Sequence, residues 1–295
     1  MSIVVAGIAV SQSLVFVWSF FGVIASLYNP LVPLLRIFNQ RFLVKRLCIR
    51  EIAIRYRGSV LGSLWAFLVP VVMLGLYTLV FGGLFGVSWD GDESAGLAAY
   101  AVQLYCGMVV FQIFQECMTR APLLVTAVPN YVKKVVFPLD ILPVPVLGAA
   151  MFHGCIGSLV VVAVNAAFNH AFSWTMFLFP LVWIPLIFWC LGIMWWFAAL
   201  GVYVRDIEHI AGLSAQILFF ASPVIYPLSK VPEPFLQILK LNPLTWIVAG
   251  QRATLLGSGA IPWWPLLIVG FAGVCLLVSG FAFFQRVRPG FSDII

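Results

Sequence analysis

Long apolar runs, separated by short polar or charged segments, dominate this 295-residue chain. A helix needs about 20 apolar residues to cross roughly 30 Å of hydrocarbon. The runs therefore predict an all-α, polytopic membrane protein with about six transmembrane helices, whose approximate bounds are 60–86, 97–119, 141–165, 175–203, 209–227 and 263–285. A transmembrane β-barrel would instead show short segments of alternating polarity.

Two segments do not follow the pattern of simple spans. Residues 1–35 carry no charge and predict either an extra N-terminal span or an interfacial segment. Between the last two spans, residues 228–260 contain two apolar stretches, Phe235–Leu241 and Leu244–Leu256, each too short to cross a membrane. Because proline is poorly tolerated inside a helix, Asn242-Pro243 predicts a break between them. We expect a short helical hairpin at the outer face.

The composition excludes several classes of protein. Hydrophobic residues make up 63% of the chain and charged residues 9%, and the mean hydropathy is +1.09. Since a soluble domain has about 25% charged residues, a soluble enzyme and a nucleic-acid-binding module are both excluded. The net charge of +6 is concentrated in residues 36–57, which hold seven basic residues and one glutamate.

This cationic segment predicts a cytoplasmic helix at the membrane interface. It would run from about Phe38 to Tyr56 and place Arg46, Arg50 and Arg57 on one stripe. Such a helix either contacts anionic head groups or only sets the topology through the positive-inside rule. The transmembrane domain would then comprise residues 58–295.

Few side chains in the predicted spans could carry out catalysis. Glu116 and Arg120 have the spacing of a local helix pair, and His153 is better explained as a packing residue. We predict no catalytic residue and no metal site, and the six cysteines form no CxxC pair. None of the five lysines follows a glycine, so the chain lacks a GxxxxGK[ST] phosphate-binding loop. Energy for transport would have to come from another chain.

One motif, Arg-Tyr-Arg-Gly-Ser-Val-Leu-Gly-Ser-Leu-Trp over residues 55–65, resembles the polysaccharide-exporter permeases of the ABC transporter type-2 family. The resemblance continues, in order, at Asn130-Tyr131-Val132-Lys133-Lys134-Val135-Val136-Phe137-Pro138, Arg205-Asp206-Ile207, Ser222-Pro223-Val224-Ile225-Tyr226-Pro227, Leu241-Asn242-Pro243-Leu244 and Arg252. It covers roughly residues 40–295. Val69-Pro70 departs from the Asn-Pro of many relatives, and residues 1–35 have no counterpart.

The resemblance implies a homodimer in the bacterial inner membrane that works with two copies of an ABC ATPase subunit. ATP and Mg would bind to that partner, and this chain would hold no cofactor and contact no nucleic acid. The segment that couples it to the ATPase would include Asn130, Tyr131, Val132, Lys133 and Lys134. The implied substrate is a lipid-linked polysaccharide, most similar to O-antigen, whose head group would bind Arg46, Arg50, Arg55 and Arg57.

Aromatic residues suggest where a sugar chain could pass. The hypothesis for the translocation path names Tyr77, Phe81, Phe85, Phe219 and Phe220. The resemblance also implies short gate helices before the last span, which match the predicted outer hairpin. The expected periplasmic gate residues are Tyr226, Phe235, Asn242, Pro243, Trp246 and Arg252.

Two alternative functions stay open. The first is the permease of another type-2 ABC exporter, for capsule, teichoic acid, drugs or lipids. The second is an integral membrane transferase, which would require converging polar groups at the membrane face. The sequence favours the transferase least because it supplies no such group.

Overall fold

The computed structural model describes residues 31–84, 89, 97–133, 137–169 and 174–294, and the secondary structure of these residues is helical. The predicted all-α class is confirmed. Residues 1–30 of the predicted N-terminal extension lie outside the described residues. The first helices are α1 (Leu31–Asn39) and α2 (Arg41–Tyr56).

The cationic segment is not one continuous helix, as predicted, but two. The backbone of Gln40 departs from helical geometry (φ −98°, ψ 16°) and separates α1 from α2. Helix α2 ends before Arg57, whose backbone is extended (φ −63°, ψ 127°) and leads into a turn at Gly58. The predicted stripe was therefore wrong in one member, because Arg57 lies beyond the helix that carries Arg46 and Arg50.

The other helices follow in the predicted order. They are α3 (Trp65–Tyr77, continued as a π-helix over Thr78–Leu84), α4 (Leu97–Arg120), α5 (Pro129–Lys133), α6 (Pro143–Asn169), α7 (Phe179–Tyr203), α8 (Ile207–Phe220), α9 (Glu233–Leu241), α10 (Pro243–Leu256), α11 (Trp263–Val287) and α12 (Phe291–Ile294).

Among the described residues, four helical segments have the length and composition to cross a membrane: Gly62–Phe81, Leu139–Ala167, Trp174–Tyr203 and Trp263–Gly290. Helix α4 has 24 residues and is long enough, at about 36 Å, but carries polar side chains in its second half. Helix α8 has 14 residues and spans only about 21 Å. The predicted fifth span was too long, since residues 221–227 leave the helix and form an irregular turn.

A close helix contact joins α7 and α11. A Cβ atom added to Gly280 would lie 2.5 Å from the carbonyl oxygen of Gly192, so only glycine allows this approach of the two backbones. Small residues at contacts between membrane helices have this effect in general. Trp195 and Phe281 pack edge to face beside the contact, with ring centroids 5.0 Å apart. Together these residues fix the last span against the fourth.

The hairpin before the last span has the two short helices that the sequence predicts, α9 and α10. Helix α10 runs from Pro243 to Leu256 and is capped by Gly257, which adopts a left-handed backbone (φ 66°). Ten of its 14 residues are buried, on all sides of the helix. Helix α10 is thus part of the core, whereas α9 buries only Leu239.

Candidate functional site

The irregular turn after α8 holds backbone carbonyl groups that have left the helical hydrogen-bond pattern. Irregular backbone at membrane depth occurs only where protein or a water-filled cavity supplies partners. Here the guanidinium of Arg252, on α10, donates from Nη1 to the carbonyl oxygen of Pro223 and from Nη2 to that of Val224, at 2.7 Å each. The guanidinium of Arg252 therefore supplies the hydrogen-bond donors that backbone N–H groups would supply in a helix.

Trp89 and two residues of α4, Tyr100 and Gln103, complete this arrangement. The Nε of Arg252 donates to the carbonyl oxygen of Gln103 at 3.0 Å, and its guanidinium carbon lies 4.4 Å from the ring centroid of Trp89. The hydroxyl of Tyr100 donates to the carbonyl oxygen of Ile225 at 2.5 Å. The turn is thereby bound to α4 as well as to α10.

Asn242 fixes the same turn from the start of α10. Its Nδ2 donates to the carbonyl oxygen of Ala221 at 2.8 Å and to the hydroxyl of Ser222 at 2.9 Å. Its Oδ1 accepts a hydrogen bond from the backbone N–H of Leu244 at 3.0 Å and so caps the helix. Tyr100, residues 221–227, Asn242 and Arg252 form one unit, which we call the turn clamp.

The predicted gate residues fall into two groups. Arg252 is buried and Asn242 and Pro243 are half-buried, whereas Phe235 on α9 is 63% exposed. Two aromatic side chains bind neighbouring backbone: the Tyr226 hydroxyl donates to the carbonyl oxygen of Phe220 and the Trp246 Nε1 to that of Lys240, each at 2.8 Å. The expected opening near Arg252 is thus filled by protein within this chain.

The four arginines expected at the head group have different surroundings. Arg46 and Arg50 are exposed on α2, and Arg57 is exposed beyond its end. Arg55 is also exposed, but unlike the other three it forms an ion pair within the described residues, with Glu116 of α4. The structure thus separates Arg55 from the other three.

Arg55 belongs to a cluster of alternating charges between α2 and α4, which we call the α2–α4 ion-pair cluster: Glu51, Arg55, Glu116 and Arg120. The Nη2 of Arg120 lies 2.7 Å from a carboxylate oxygen of Glu51, and its Nη1 lies 3.4 Å from Glu116. The predicted i, i+4 pair is present, but the shorter contact of Arg120 reaches α2. Because Arg120 ends α4, the cluster lies directly before the predicted coupling segment.

His153 of α6 joins this cluster through the end of α2. The Nδ1 of His153 lies 2.7 Å from the carbonyl oxygen of Ala149 and 3.3 Å from Nη1 of Arg55. The carbonyl oxygen can only accept and makes the shorter contact, which favours the tautomer with the proton on Nδ1. The Nε2 atom can then accept from the hydroxyl of Tyr56 at 2.5 Å. Burial raises the pKa of Tyr56, and the phenol therefore keeps the proton that this bond requires.

The predicted coupling segment contains the short helix α5. Asn130 is exposed, and the ring of Tyr131 stacks on Phe137 with centroids 4.6 Å apart. The side chains of Val132 and Lys133, and all of Lys134, lie outside the description. Just beyond, the buried carboxylate of Asp140 lies 3.1 Å from Arg36 of α1, which connects this segment to the N-terminal helices.

The aromatic residues proposed for the translocation path pack against α4. Tyr77 lies 6.3 Å from the ring of Tyr105, and Phe81 stacks 5.2 Å from Tyr100. Phe219 lies 5.0 Å from Phe111 and 5.3 Å from Phe220, which is 67% exposed. Phe85 lies outside the described residues. Of the four described members of this set, Phe220 is the most exposed.

Comparison with known proteins identifies the family. Residues 43–256 match the family described as ABC-2 type transporter, which is more than half of the chain. The chain belongs to the ABC-2 type transporter family. As a member of this family it is a multi-pass membrane protein and a transport subunit rather than a catalytic enzyme. The predicted family resemblance is confirmed.

Several relatives of this ABC-2 protein have names. It is 26% identical over 251 residues to the O-antigen export system permease protein RfbA of Klebsiella pneumoniae, covering 83% of this chain and 92% of that protein. The RfbA of Myxococcus xanthus is 25% identical over 261 residues, or 88% and 97% of the two chains. The polysialic acid transport protein KpsM of Escherichia coli is 28% identical over 217 residues, or 72% and 81%.

Some members of these clusters could not be found from sequence motifs. Tyr100 and Gln103 lie on α4 and contribute a hydroxyl and a backbone carbonyl to the turn clamp, and neither belongs to a motif. Glu51 gave a weak signal as the single acid of the cationic segment. A lone opposite charge in such a segment is a reasonable indication of an ion pair with another element.

Proposed function

We propose that this chain is the transmembrane subunit of an ABC exporter that moves a lipid-linked polysaccharide of the O-antigen type from the cytoplasm to the periplasm across the bacterial inner membrane. Two copies would form the pore and bind two ATPase subunits, whose ATP hydrolysis drives export. The observation that carries this proposal is the match to O-antigen export permeases over more than four fifths of both chains.

The arrangement of the site supports the proposal. The turn clamp brings together three of the motifs that suggested a polysaccharide exporter, namely residues 222–227, Asn242-Pro243 and Arg252. A gate needs a part that stays fixed and a part that moves. In this proposal α10 and the turn clamp stay fixed, and the exposed helix α9 with Phe235 moves as the polymer passes.

Coupling to ATP hydrolysis would begin at α5. Helix α4 ends at Arg120, shortly before α5 in the chain. The ion pair of Arg120 with Glu51 connects α4 to α2. A push on α5 by the ATPase subunit would therefore act on the interface helix α2 as well as on the spans. This connection gives the proposed coupling segment a mechanical path into the bundle.

The lipid head group is proposed to bind the exposed arginines Arg46, Arg50 and Arg57, since guanidinium groups bind phosphate in a strong, bidentate manner. Arg55, already paired with Glu116, would contribute less. Changing Arg46 and Arg50 to glutamine should reduce export more than it reduces the amount of protein in the membrane. Equal reductions would indicate that these charges only set the topology.

Deletion and complementation test the function in cells. Loss of the gene should abolish the surface polysaccharide and cause the lipid-linked glycan to accumulate on the cytoplasmic side, and the intact gene should restore export. Unchanged surface polysaccharide in the deletion strain would contradict the proposal.

A capsule exporter is the second candidate, and the similarity to polysialic acid transport protein KpsM favours it. It would share the coupling and gate regions. Analysis of the polysaccharide lost from the deletion strain distinguishes the two, because O-antigen is attached to lipopolysaccharide and capsule is not.

A further inference from the structure

A cavity of about 360 Å³ lies on the predicted cytoplasmic side, where the end of α1, the connection from α5 to α6 and the end of α11 meet. We call it the Asp140 cavity, after the buried carboxylate in its wall. The residues proposed for the translocation path and the gate belong to other elements, since none of the described lining residues lies on α3, α8, α9 or α10. The export function therefore does not account for this cavity.

The carboxylate of Asp140 is buried but only half satisfied. Its side chain is 2% exposed, and Oδ2 accepts a hydrogen bond from Nη1 of Arg36 at 3.1 Å. Oδ1 has no hydrogen-bond donor among the described residues, and Nη1 of Arg288 lies 3.9 Å away, beyond hydrogen-bond distance. Because a buried acceptor without a donor costs free energy, a ligand that brings an N–H group to Oδ1 would be stabilised.

Two guanidinium groups accompany this single carboxylate, so the described lining residues carry one positive charge in excess. Arg36 bonds to Asp140 through Nη1, and Arg288 donates from Nη2 to the carbonyl oxygen of Phe137 at 3.3 Å. A guanidinium has five N–H groups, and these side chains are 47% and 33% exposed, so both can bind a further acceptor. Phosphate oxygens match guanidinium geometry well.

The cavity thus suits a ligand that carries an anionic phosphate and a cationic N–H donor close together. A phosphoethanolamine head group has this chemistry, because two methylene groups separate its phosphate from its ammonium. The bond from the ammonium to Asp140 would be charge-assisted, which makes it stronger than a bond from a hydroxyl. Since one water molecule needs about 10–15 Å³ of cavity volume, there is room for a small head group.

The surroundings favour a membrane lipid over a soluble phosphate ester. Helix α1 leads to the cavity, and its apolar side chains Leu35 and Phe38 are 54% and 62% exposed. The guanidinium carbon of Arg41 lies 4.9 Å from the ring centroid of Phe38. Exposed apolar residues beside arginines are typical of a helix that lies in the membrane interface. Acyl chains could therefore lie against α1 while the head group enters the cavity.

We propose that the Asp140 cavity binds the head group of a phosphatidylethanolamine molecule of the inner leaflet. The phosphate would contact Arg36 and Arg288, and the ammonium would donate to Oδ1 of Asp140. This lipid stays in the membrane and is distinct from the exported substrate, so the proposal goes beyond the proposed function. The bound lipid would connect α1 to the end of the last span, beside the predicted coupling segment.

Native mass spectrometry of the full chain in detergent tests the proposal with ethanolamine, choline and glycerol phospholipids that carry the same acyl chains. Choline has the charges of ethanolamine but no N–H group, and glycerol has hydroxyl groups but no positive charge. At low lipid concentration, binding of the ethanolamine lipid should exceed that of the choline lipid at least about fivefold, the effect of one net hydrogen bond. Equal binding of these two, or preference for the glycerol lipid, would overturn the proposal.

Variants locate the lipid in the cavity. Asp140→Asn keeps the size of the side chain and should remove most of the preference for ethanolamine, because the bond is no longer charge-assisted. If this variant does not fold, Arg288→Gln leaves the pair of Arg36 with Asp140 in place and should weaken binding of the ethanolamine and choline lipids alike. Arg286→Gln, an exposed position two residues away, is the matched control and should leave both unchanged. An ethanolamine preference that survives Asp140→Asn, or equal effects of the two arginine variants, would overturn the proposal.

Free phosphoethanolamine distinguishes a lipid from a soluble ligand. It has the same head group without acyl chains and should not displace the lipid at equal concentration, and displacement would overturn the lipid as the occupant. The experiment needs neither ATP nor polysaccharide. A chain that restores export in cells but shows no preference for ethanolamine refutes only the lipid site, whereas a chain with this preference that does not restore export refutes the proposed function.

Discussion

Replacing Arg252 with glutamine should destabilise the protein strongly, because one side chain satisfies three backbone carbonyl groups. The acceptors of Pro223 and Val224 are buried, and each costs about 1–3 kcal/mol when left without a partner. Glutamine is shorter and cannot span the two acceptors and Gln103. The expected loss is therefore roughly 2–6 kcal/mol in the free energy of unfolding.

Thermal unfolding followed with a thiol-reactive dye measures this loss. The buried thiols of Cys106, Cys117 and Cys190 become reactive only when the bundle opens. The Arg252→Gln variant should unfold at least about 5 °C below the unmodified protein. Arg286→Gln makes the same exchange at an exposed position and should shift unfolding by no more than roughly 1 °C.

Gly107→Ala tests the same contact from the opposite side. A Cβ atom at residue 107 would lie 2.8 Å from Nη2 of Arg252, so the guanidinium would have to move away from the turn. The variant should lower the unfolding temperature in the same direction as Arg252→Gln. If Arg252→Gln unfolds at the temperature of the exposed control, the reasoning about the turn clamp is refuted.

Three further predictions concern coupling and gating. Exchanging the charges of Glu51 and Arg120 together should recover part of the stability that each single change loses. The coupling energy should be about 0.5–1 kcal/mol, because Arg120 is partly exposed. A coupling energy near zero in the double-mutant cycle would contradict the ion pair. Tyr131→Ala removes the stacking on Phe137 and should reduce export while ATP hydrolysis by the complex continues; undiminished export would argue against a coupling role. Cysteine at Phe235 should crosslink across the dimer axis and block export, and a complete crosslink with normal export would place the gate elsewhere.

Local sequence signals were sufficient to predict the hairpin before the last span. The predicted stretches 235–241 and 244–256 differ from the observed helices Glu233–Leu241 and Pro243–Leu256 by at most two residues. Proline and glycine act on their own backbone: Pro243 can start a helix but not continue one, and Gly257 adopts the left-handed conformation that ends it. Such boundaries need no knowledge of the tertiary fold.

The contacts that form the site could not be predicted in this way because they join distant parts of the chain. Arg252 binds the carbonyl of Gln103, 149 positions away, and Arg55 pairs with Glu116, 61 positions away. Hydropathy alone also overextended the fifth span, since residues 221–227 are apolar although their backbone is irregular. Apolar composition indicates burial in lipid or protein, but does not distinguish a helix from a turn held by side chains.

Transport in a purified system tests the central claim most directly. The full chain and its ATPase subunit would be placed together in proteoliposomes that carry the lipid-linked glycan, with the ATP-binding side outward and a glycosidase outside. Addition of ATP should move glycan to the interior and protect it from the enzyme, whereas vesicles lacking either protein should show no protection. Equal protection with and without ATP, in vesicles where the ATPase is active, would contradict an ATP-driven polysaccharide exporter.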